Sequence, residues 1–290
     1  MTGPTGPALP GLPGGPTPGR CLVMGVVNVT PDSFSDGGSW PDADTAIAHG
    51  LELAAAGADI VDVGGESTRP GARRVTEAEE LHRVLPVVCE LAAAGVAVSV
   101  DTTRPVVAAA ALEAGAVLVN DVSAAADPEL LAVAARTGTP YVLMHSRGAS
   151  AQMSALAVYD DVVAEVVAEL AAARDRVLAA GVAPDRLVID PGIGFAKNAD
   201  HNWQLLAHLD AVAALGHPVL VGVSRKAFLG ALLATEEGPR PVSDRDDATQ
   251  ALTALLAVEG IWAVRVHDVR PAVDAVRVAA RLQAARRASG

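Results

Sequence analysis

Aromatic residues make up only 3% of this 290-residue chain, so its core must be built from Val, Leu and Ala. That composition suits buried parallel strands and good helix formers. Two cysteines, Cys21 and Cys89, are too few for a disulfide framework, and both are expected as buried packing residues. No apolar run approaches the ~18 residues that would suggest a bilayer span. The N-terminus lacks a basic segment followed by an apolar one. A cytoplasmic protein without a membrane partner is therefore expected. Lys and Arg total 22 against 34 Asp and Glu, a net charge of −12, which argues against nonspecific nucleic-acid binding. It leaves room for a small anionic ligand in a local cationic pocket, because salt screens surface charge over about 8 Å. No Gly-x-Ser-x-Gly, Walker lysine loop or post-strand Gly-x-Gly-x-x-Gly is present, so hydrolase-triad and dinucleotide readings have no support. No HxxxH or Cys/His cluster surrounds His145, so a zinc site is not expected.

What the chain does have is eight short apolar runs, each ending in a residue able to do chemistry. Leu22–Val27 runs into Asn28, Ile60–Val63 into Gly64-Gly65-Glu66-Ser67, Val96–Val100 into Asp101, and Val117–Val119 into Asn120-Asp121. Tyr141–Met144 ends at His145, Leu187–Ile189 at Asp190, Val219–Val223 at Ser224-Arg225-Lys226, and Trp262–Val266 at His267-Asp268, with Arg265 inside the run. Eight strand–helix units close naturally into a (β/α)8 TIM barrel, an α/β fold whose active site lies where the strands end. Such a unit needs about 250 residues, and residues 21–286 supply 266. The expected organisation is a tail over 1–20, one barrel domain over 21–286 and a short C-terminal tail over 287–290. The first twenty residues hold six Gly and six Pro, with little apolar beyond Leu9 and Leu12, and are expected to be disordered.

Helices are expected over 44–56, 76–94 (Thr76 and Glu79 forming a capping box), 104–114, 128–136, 159–180, 201–214, 243–259 and 270–285. Gly57, Gly95, Gly115, Gly138, Gly181, Gly216 and Gly260 follow these segments, as tight exits require. Two long loops, residues 29–42 and 66–75, exceed a minimal barrel, and long loops after strands commonly carry function.

In a closed barrel the eighth strand neighbours the first, and the first neighbours the second. Asn28, Arg69, Arg265 and His267 then gather on one side of the mouth. Arg265 and His267 are two apart, so they face the same way. Cationic donors beside an amide suit phosphate, and the Asn28 carbonyl oxygen could ligate Mg²⁺. The rival reading pairs Arg265 and His267 with nearby carboxylates. Strands three, four, six and seven supply Asp101, Asn120, Asp190 and Lys226. Fixed acceptors with a lysine donor suit a flat, donor-rich heterocycle. Asp190-Pro191-Gly192 could instead be a plain turn, and Asp121 a residue that satisfies backbone. Ser224 stands where a strand gives way to a helix, a place for a carboxylate. Arg225 is expected at the surface. Phe34, Pro70 and Phe195 are apolar residues in polar loops, able to sandwich an aryl ring.

The segments Met24–Gly38 and Asp62–Gly71 resemble the two signatures of dihydropteroate synthases. Further matches follow in order at Ser99–Thr102, Val119–Ser123, Leu143–His145, Asp190–Lys197, Gly222–Lys226 and Arg265–Asp268. The resemblance spans about residues 22–282, and it departs at Ala124-Ala125-Ala126, where the family usually has glycines. It implies a transferase that joins 6-hydroxymethyl-7,8-dihydropterin pyrophosphate to p-aminobenzoate, giving 7,8-dihydropteroate and pyrophosphate. It further implies that Asp101, Asn120, Met144, Asp190 and Lys226 hold the pterin. Asn28 would bind Mg²⁺ and, with Arg69, Arg265 and His267, the pyrophosphate. Phe34, Thr68, Pro70, Phe195 and Ser224 would frame p-aminobenzoate. Asp36 and Arg69 would meet on loop closure and join Asp101, Asp190 and Lys226 as catalytic residues. A homodimer through the outer helices is implied as well. The rivals are a diverged pterin-binding homologue without this activity and a methyltetrahydrofolate-dependent methyltransferase.

Overall fold

The computed structural model describes residues 9, 20–30, 43–67, 74–148, 153 and 155–288. Its strands are β1 (Leu22–Asn28), β2 (Ile60–Gly64), β3 (Val98–Asp101), β4 (Leu118–Asp121), β5 (Tyr141–Met144), β6 (Leu187–Asp190), β7 (Leu220–Val221) and β8 (Ala263–Val266). All pair in parallel in the order β6-β5-β4-β3-β2-β1-β8-β7. A parallel bridge from Ile189 to Val219 joins the two ends of that order and closes the barrel. The expected TIM barrel is therefore observed.

Side chains alternate along each strand. One set forms a cluster inside the barrel: Leu22, Met24, Ile60, Leu118, Val142, Val188, Leu220 and Ala263. The opposite set, mostly Val and Ala, packs outward against the helices in a larger cluster. This parity places chemistry as well as packing. Asp62, Asn120, Met144, Asp190, Gly222 and Arg265 each stand two residues beyond an inside residue, so they face the barrel mouth. Leu9 also belongs to the inside cluster and is buried. The tail thus contributes one core side chain, against the expectation for residues 1–20. Burying a leucine is worth about 1.5–3 kcal/mol.

The helices are α1 (Ala43–Ala55), α2 (Glu77–Ala93), α3 (Pro105–Glu113), α4 (Pro128–Thr137), α5 (Val162–Ala179), α6 (Ala199–Ala207), α7 (Leu209–Ala213), α8 (Ala227–Leu232), α9 (Asp246–Glu259) and α10 (Val269–Ala288). None is long and apolar enough to cross a membrane. The seven exit glycines all adopt positive φ.

Several details differ from expectation. The Thr76 hydroxyl accepts the Glu79 N–H at 3.2 Å, but the Glu79 carboxylate turns to Arg83, so only half of the capping box forms. α5 starts at Val162 because the Asp161 carboxylate accepts the N–H groups of Val163 and Ala164. Tyr159 stays outside that helix, under the Arg147 guanidinium at 3.8 Å. The expected helix over 201–214 begins earlier and breaks at His208 into α6 and α7. Cys21 is buried as expected, but Cys89 is exposed, because it lies on the outer face of α2.

Candidate active site

One cleft opens at the C-terminal ends of the strands. It is lined by Asp101, Asn120, Val122, Met144, Asp190, Phe195, Gly222, Ser224, Lys226, Arg265 and His267. Nine of the ten expected site residues that are described line it; Asn28 does not. Phe34, Asp36, Thr68, Arg69 and Pro70 lie outside the described residues.

The floor is a charged network. Arg265 donates from Nε to Asp62 Oδ2 at 2.7 Å and from Nη2 to Asp101 Oδ2 at 3.0 Å. Asn120 Nδ2 donates to the same Asp62 oxygen at 3.0 Å. Asp62 is fully buried and sequence reasoning passed over it. The available signal was a carboxylate inside an apolar strand on the inward-facing register. Arg265 therefore reaches across the mouth to β2 and β3, the carboxylate pairing raised as the rival reading. Its Nη1 has no hydrogen-bond partner among the described residues. His267 behaves differently, pairing its Nδ1 with Ser224 Oγ at 2.9 Å. Ser224 Oγ also accepts the His267 N–H at 3.2 Å, so this buried hydroxyl braces β8.

On the opposite wall, Asp190 Oδ1 accepts the Gly192 N–H at 2.7 Å. The turn needs glycine there. Its φ is +67°, and a Cβ would stand 1.9 Å from the His145 carbonyl oxygen. Lys226 Nζ donates to the Ile193 carbonyl and lies 4.9 Å from the centre of the Phe195 ring.

Burial raises the Asp101 pKa to about 7; neighbouring Asp62 adds to the rise and Arg265 opposes it. Burial also raises Asp190, against Lys226 and the Gly192 N–H. Burial lowers Lys226 to about 8, with Asp190 opposing. One carboxylate and one lysine poised near neutrality in the same cleft, beside a second carboxylate that burial raises, mark it as a functional site.

Residues next to these point the other way. His145 Nε2 pairs with Glu169 at 2.9 Å, and Lys197 Nζ donates to His145 Nδ1 at 2.8 Å. Lys197 also donates to the carbonyls of Gly192 at 3.0 Å and Phe195 at 2.9 Å, which pins the loop after β6. Burial lowers Lys197 to about 7 and, together with Lys197, lowers His145 to about 3. Arg225 keeps 33% of its side chain exposed and is tied to α9 by two 2.7 Å bonds to Asp246. Glu66 accepts from Arg74, Arg104 and the Val75 N–H, tying together the two ends of the second long loop. Neither Glu66 nor Lys197 stood out in the sequence as an anchor.

Comparison with known proteins sharpens this picture. The pterin binding enzyme family model matches residues 24–267. The dihydropteroate synthase of Mycobacterium leprae is 56% identical over 259 residues, covering 88% of this chain and 91% of the relative. This chain belongs to the dihydropteroate synthase family. The Escherichia coli K12 family member is 45% identical, with 88% of this chain and 89% of the relative covered. The solved Xanthomonas albilineans dihydropteroate synthase with 4-aminobenzoic acid superposes with a TM-score of 0.84 at 47% identity, covering 91% of this chain and 94% of that one. The same enzyme in complex with 7,8-dihydropteroate gives a TM-score of 0.81 at 44% identity, with the same coverage.

Among the described residues, no group of three or more His, Cys, Asp or Glu is placed to hold a metal. Asn28 ends β1 half-buried, and its side-chain amide has no hydrogen-bond partner among the described residues. One free carbonyl oxygen suits Mg²⁺, which commonly takes one or two protein ligands and fills its shell with water and substrate phosphate.

Proposed function

We propose that this chain is a dihydropteroate synthase, joining 6-hydroxymethyl-7,8-dihydropterin pyrophosphate to p-aminobenzoate with release of pyrophosphate. The observation that carries the reading is the convergence of Asp101, Asn120, Asp190, Lys226 and Arg265 on one cleft, in a chain 56% identical to a known family member.

In this reading the pterin ring lies among Asp101, Asn120, Met144, Asp190 and Lys226. The carboxylates accept from its amidine-like edge. Lys226 turns from the Ile193 carbonyl to the ring carbonyl or nitrogen. The C–O bond from the exocyclic methylene to pyrophosphate breaks, and a C–N bond to the p-aminobenzoate amine forms as that amine loses a proton. The electron-rich ring spreads positive charge as the leaving group departs. Ionised Asp101 and Asp190 favour that charge electrostatically. The aryl amine is already nucleophilic, so no strong base is required.

Arg265 is held through Nε and Nη2 and turns Nη1 toward a phosphate oxygen, with His267, Arg69 and Asn28 completing that side. Mg²⁺ bound by Asn28 and the leaving group would supply charge neutralisation as pyrophosphate departs. Phe195, Ser224, Phe34, Thr68 and Pro70 frame p-aminobenzoate, and Asp36 meets Arg69 when the loops close and exclude water. Ser224 acts there while braced by His267. We further propose a cytoplasmic homodimer. Supporting it are the exposed Leu255 on α9 and the exposed Val278 and Leu282 on α10, two helices that pack together. Sedimentation at twice the monomer mass is the expected result.

The deciding assay follows pyrophosphate release from the pterin pyrophosphate, with and without p-aminobenzoate and Mg²⁺. Release that needs both, with dihydropteroate formed alongside, is expected. Tight pterin binding without release would instead identify a diverged binding protein.

A further inference from the structure

The chain after β4 makes a tight turn held from behind the cleft. Asp121 is fully buried, yet it sits between Asn120 and Val122, which both line the cleft. By strand parity its own side chain points the other way, behind the cleft wall. There its Oδ1 accepts the Ser123 N–H at 2.8 Å, and its Oδ2 accepts the Ala125 N–H at 3.0 Å. The hydroxyl of Tyr141, a fully buried β5 residue, donates to the same Oδ2. Ala124 and Ala125 meanwhile adopt φ of +61° and +57°, a left-handed backbone that disfavours any residue with a Cβ. Such a conformation persists only when its surroundings over-determine it. A third hold comes from outside, where Arg176 Nη2 on α5 donates to the Ala124 carbonyl at 3.1 Å.

We infer that Asp121 and Tyr141 are positioning residues for the pterin. They clamp a strained loop from behind and so fix Asn120 and Val122 against the ring. The inference rests on the reading of the cleft as a pterin site. Two neutral alanines in left-handed geometry relax if the clamp loosens, and the residues joined most directly to them are those that line the cleft. Of the described residues assigned to p-aminobenzoate, Phe195 follows β6 and Ser224 follows β7, neither shares a hydrogen bond with this loop, and p-aminobenzoate binding is expected to be indifferent to it.

Tyr141→Phe removes one hydroxyl and preserves the packing shape. Calorimetric binding of dihydropterin pyrophosphate is the first readout, because it does not depend on turnover. Affinity should fall about tenfold, and the KM for the same substrate should rise in parallel, while kcat and the KM for p-aminobenzoate stay within about twofold. Replacing both Ala124 and Ala125 with glycine in the Tyr141→Phe background should restore much of the affinity, because glycine accepts the left-handed backbone without strain. Arg176→Ala changes an exposed residue and should shift affinity the same way by a smaller factor, which keeps the test alive if Tyr141→Phe folds poorly. Folded variants with unchanged pterin affinity, or a glycine pair that gives no recovery, would overturn the inference. Failure of the unmodified chain to make dihydropteroate would strike the proposed function instead, and the binding comparison would still judge the clamp.

Discussion

Asn120 and Asp121 are neighbours in the chain, as are Met144 and His145, yet each pair divides between two regions of the molecule. Asn120 and Met144 face the cleft. Asp121 and His145 face the barrel's outer layer, where Tyr141 and backbone N–H groups occupy the first and Glu169 and Lys197 the second. All four are buried. Residue type and burial therefore fail to separate ligand-binding groups from fold-holding groups here. Strand parity separates them, and so does saturation: the outward groups spend their hydrogen bonds on the protein, whereas the inward ones keep capacity for a ligand.

Substitutions on the two sides test that contrast. The largest loss is expected inward. Asp190→Asn or Lys226→Ala should lower kcat/KM by about 10²–10³-fold, the scale of one transition-state electrostatic contact. The melting temperature should stay close to that of the unmodified chain. Retained turnover in either variant would refute the role given to that residue.

Next comes Asp62→Asn. The amide can still accept from one neighbour, but it no longer neutralises Arg265. A small displacement of the guanidinium and of Asn120 should cost up to about 10²-fold in kcat/KM, measured beside an unchanged circular dichroism spectrum. Equal activity would mean that Asp101 alone positions Arg265.

A moderate effect is expected from pH. Asp101, raised to about 7, accepts from the pterin most strongly when ionised, so affinity should weaken as pH falls below about 7. Lys226, lowered to about 8, donates as a cation only below that value, so affinity should weaken again above it. Stability follows the opposite sense for Asp101. Between about pH 4 and 7 the folded chain keeps a proton that the unfolded chain has lost, so this group makes the fold less stable as pH rises. Asp101→Asn should remove that slope from a denaturant series, and persistence of the slope would assign it elsewhere.

The smallest catalytic effect is expected outward. Lys197→Met strands the Gly192 and Phe195 carbonyls and should cost about 1–3 kcal/mol of stability, with kcat changed only a few-fold. A large loss of kcat at full stability would break the division between the two regions.

Much of this was legible in the sequence, for a physical reason. Parallel strands buried on both faces read as apolar runs, and their C-terminal ends must stop at the site. That exposed Asp101, Asn120, Asp190, Lys226 and His267 directly. Asp62 and Arg265 both lie inside their runs, one residue short of the end, where only parity marks them; the two-residue spacing to His267 revealed Arg265, and Asp62 had no such polar neighbour. Glu66 and Lys197 escaped because their partners mix backbone groups with the distant side chains of Arg104 and His145. The break between α6 and α7 carries no proline or glycine to announce it. Cys89 misled because a cysteine is buried more often than not, and here the face of α2 decided otherwise.

The most direct test of the account is a crystal structure with the pterin substrate bound. The account predicts the ring edge within hydrogen-bond distance of Asp101, Asn120 and Asp190, with Lys226 swung from the Ile193 carbonyl to the ring. A pterin bound instead in the outer cavity beside His145, Glu169 and Arg176 would contradict it.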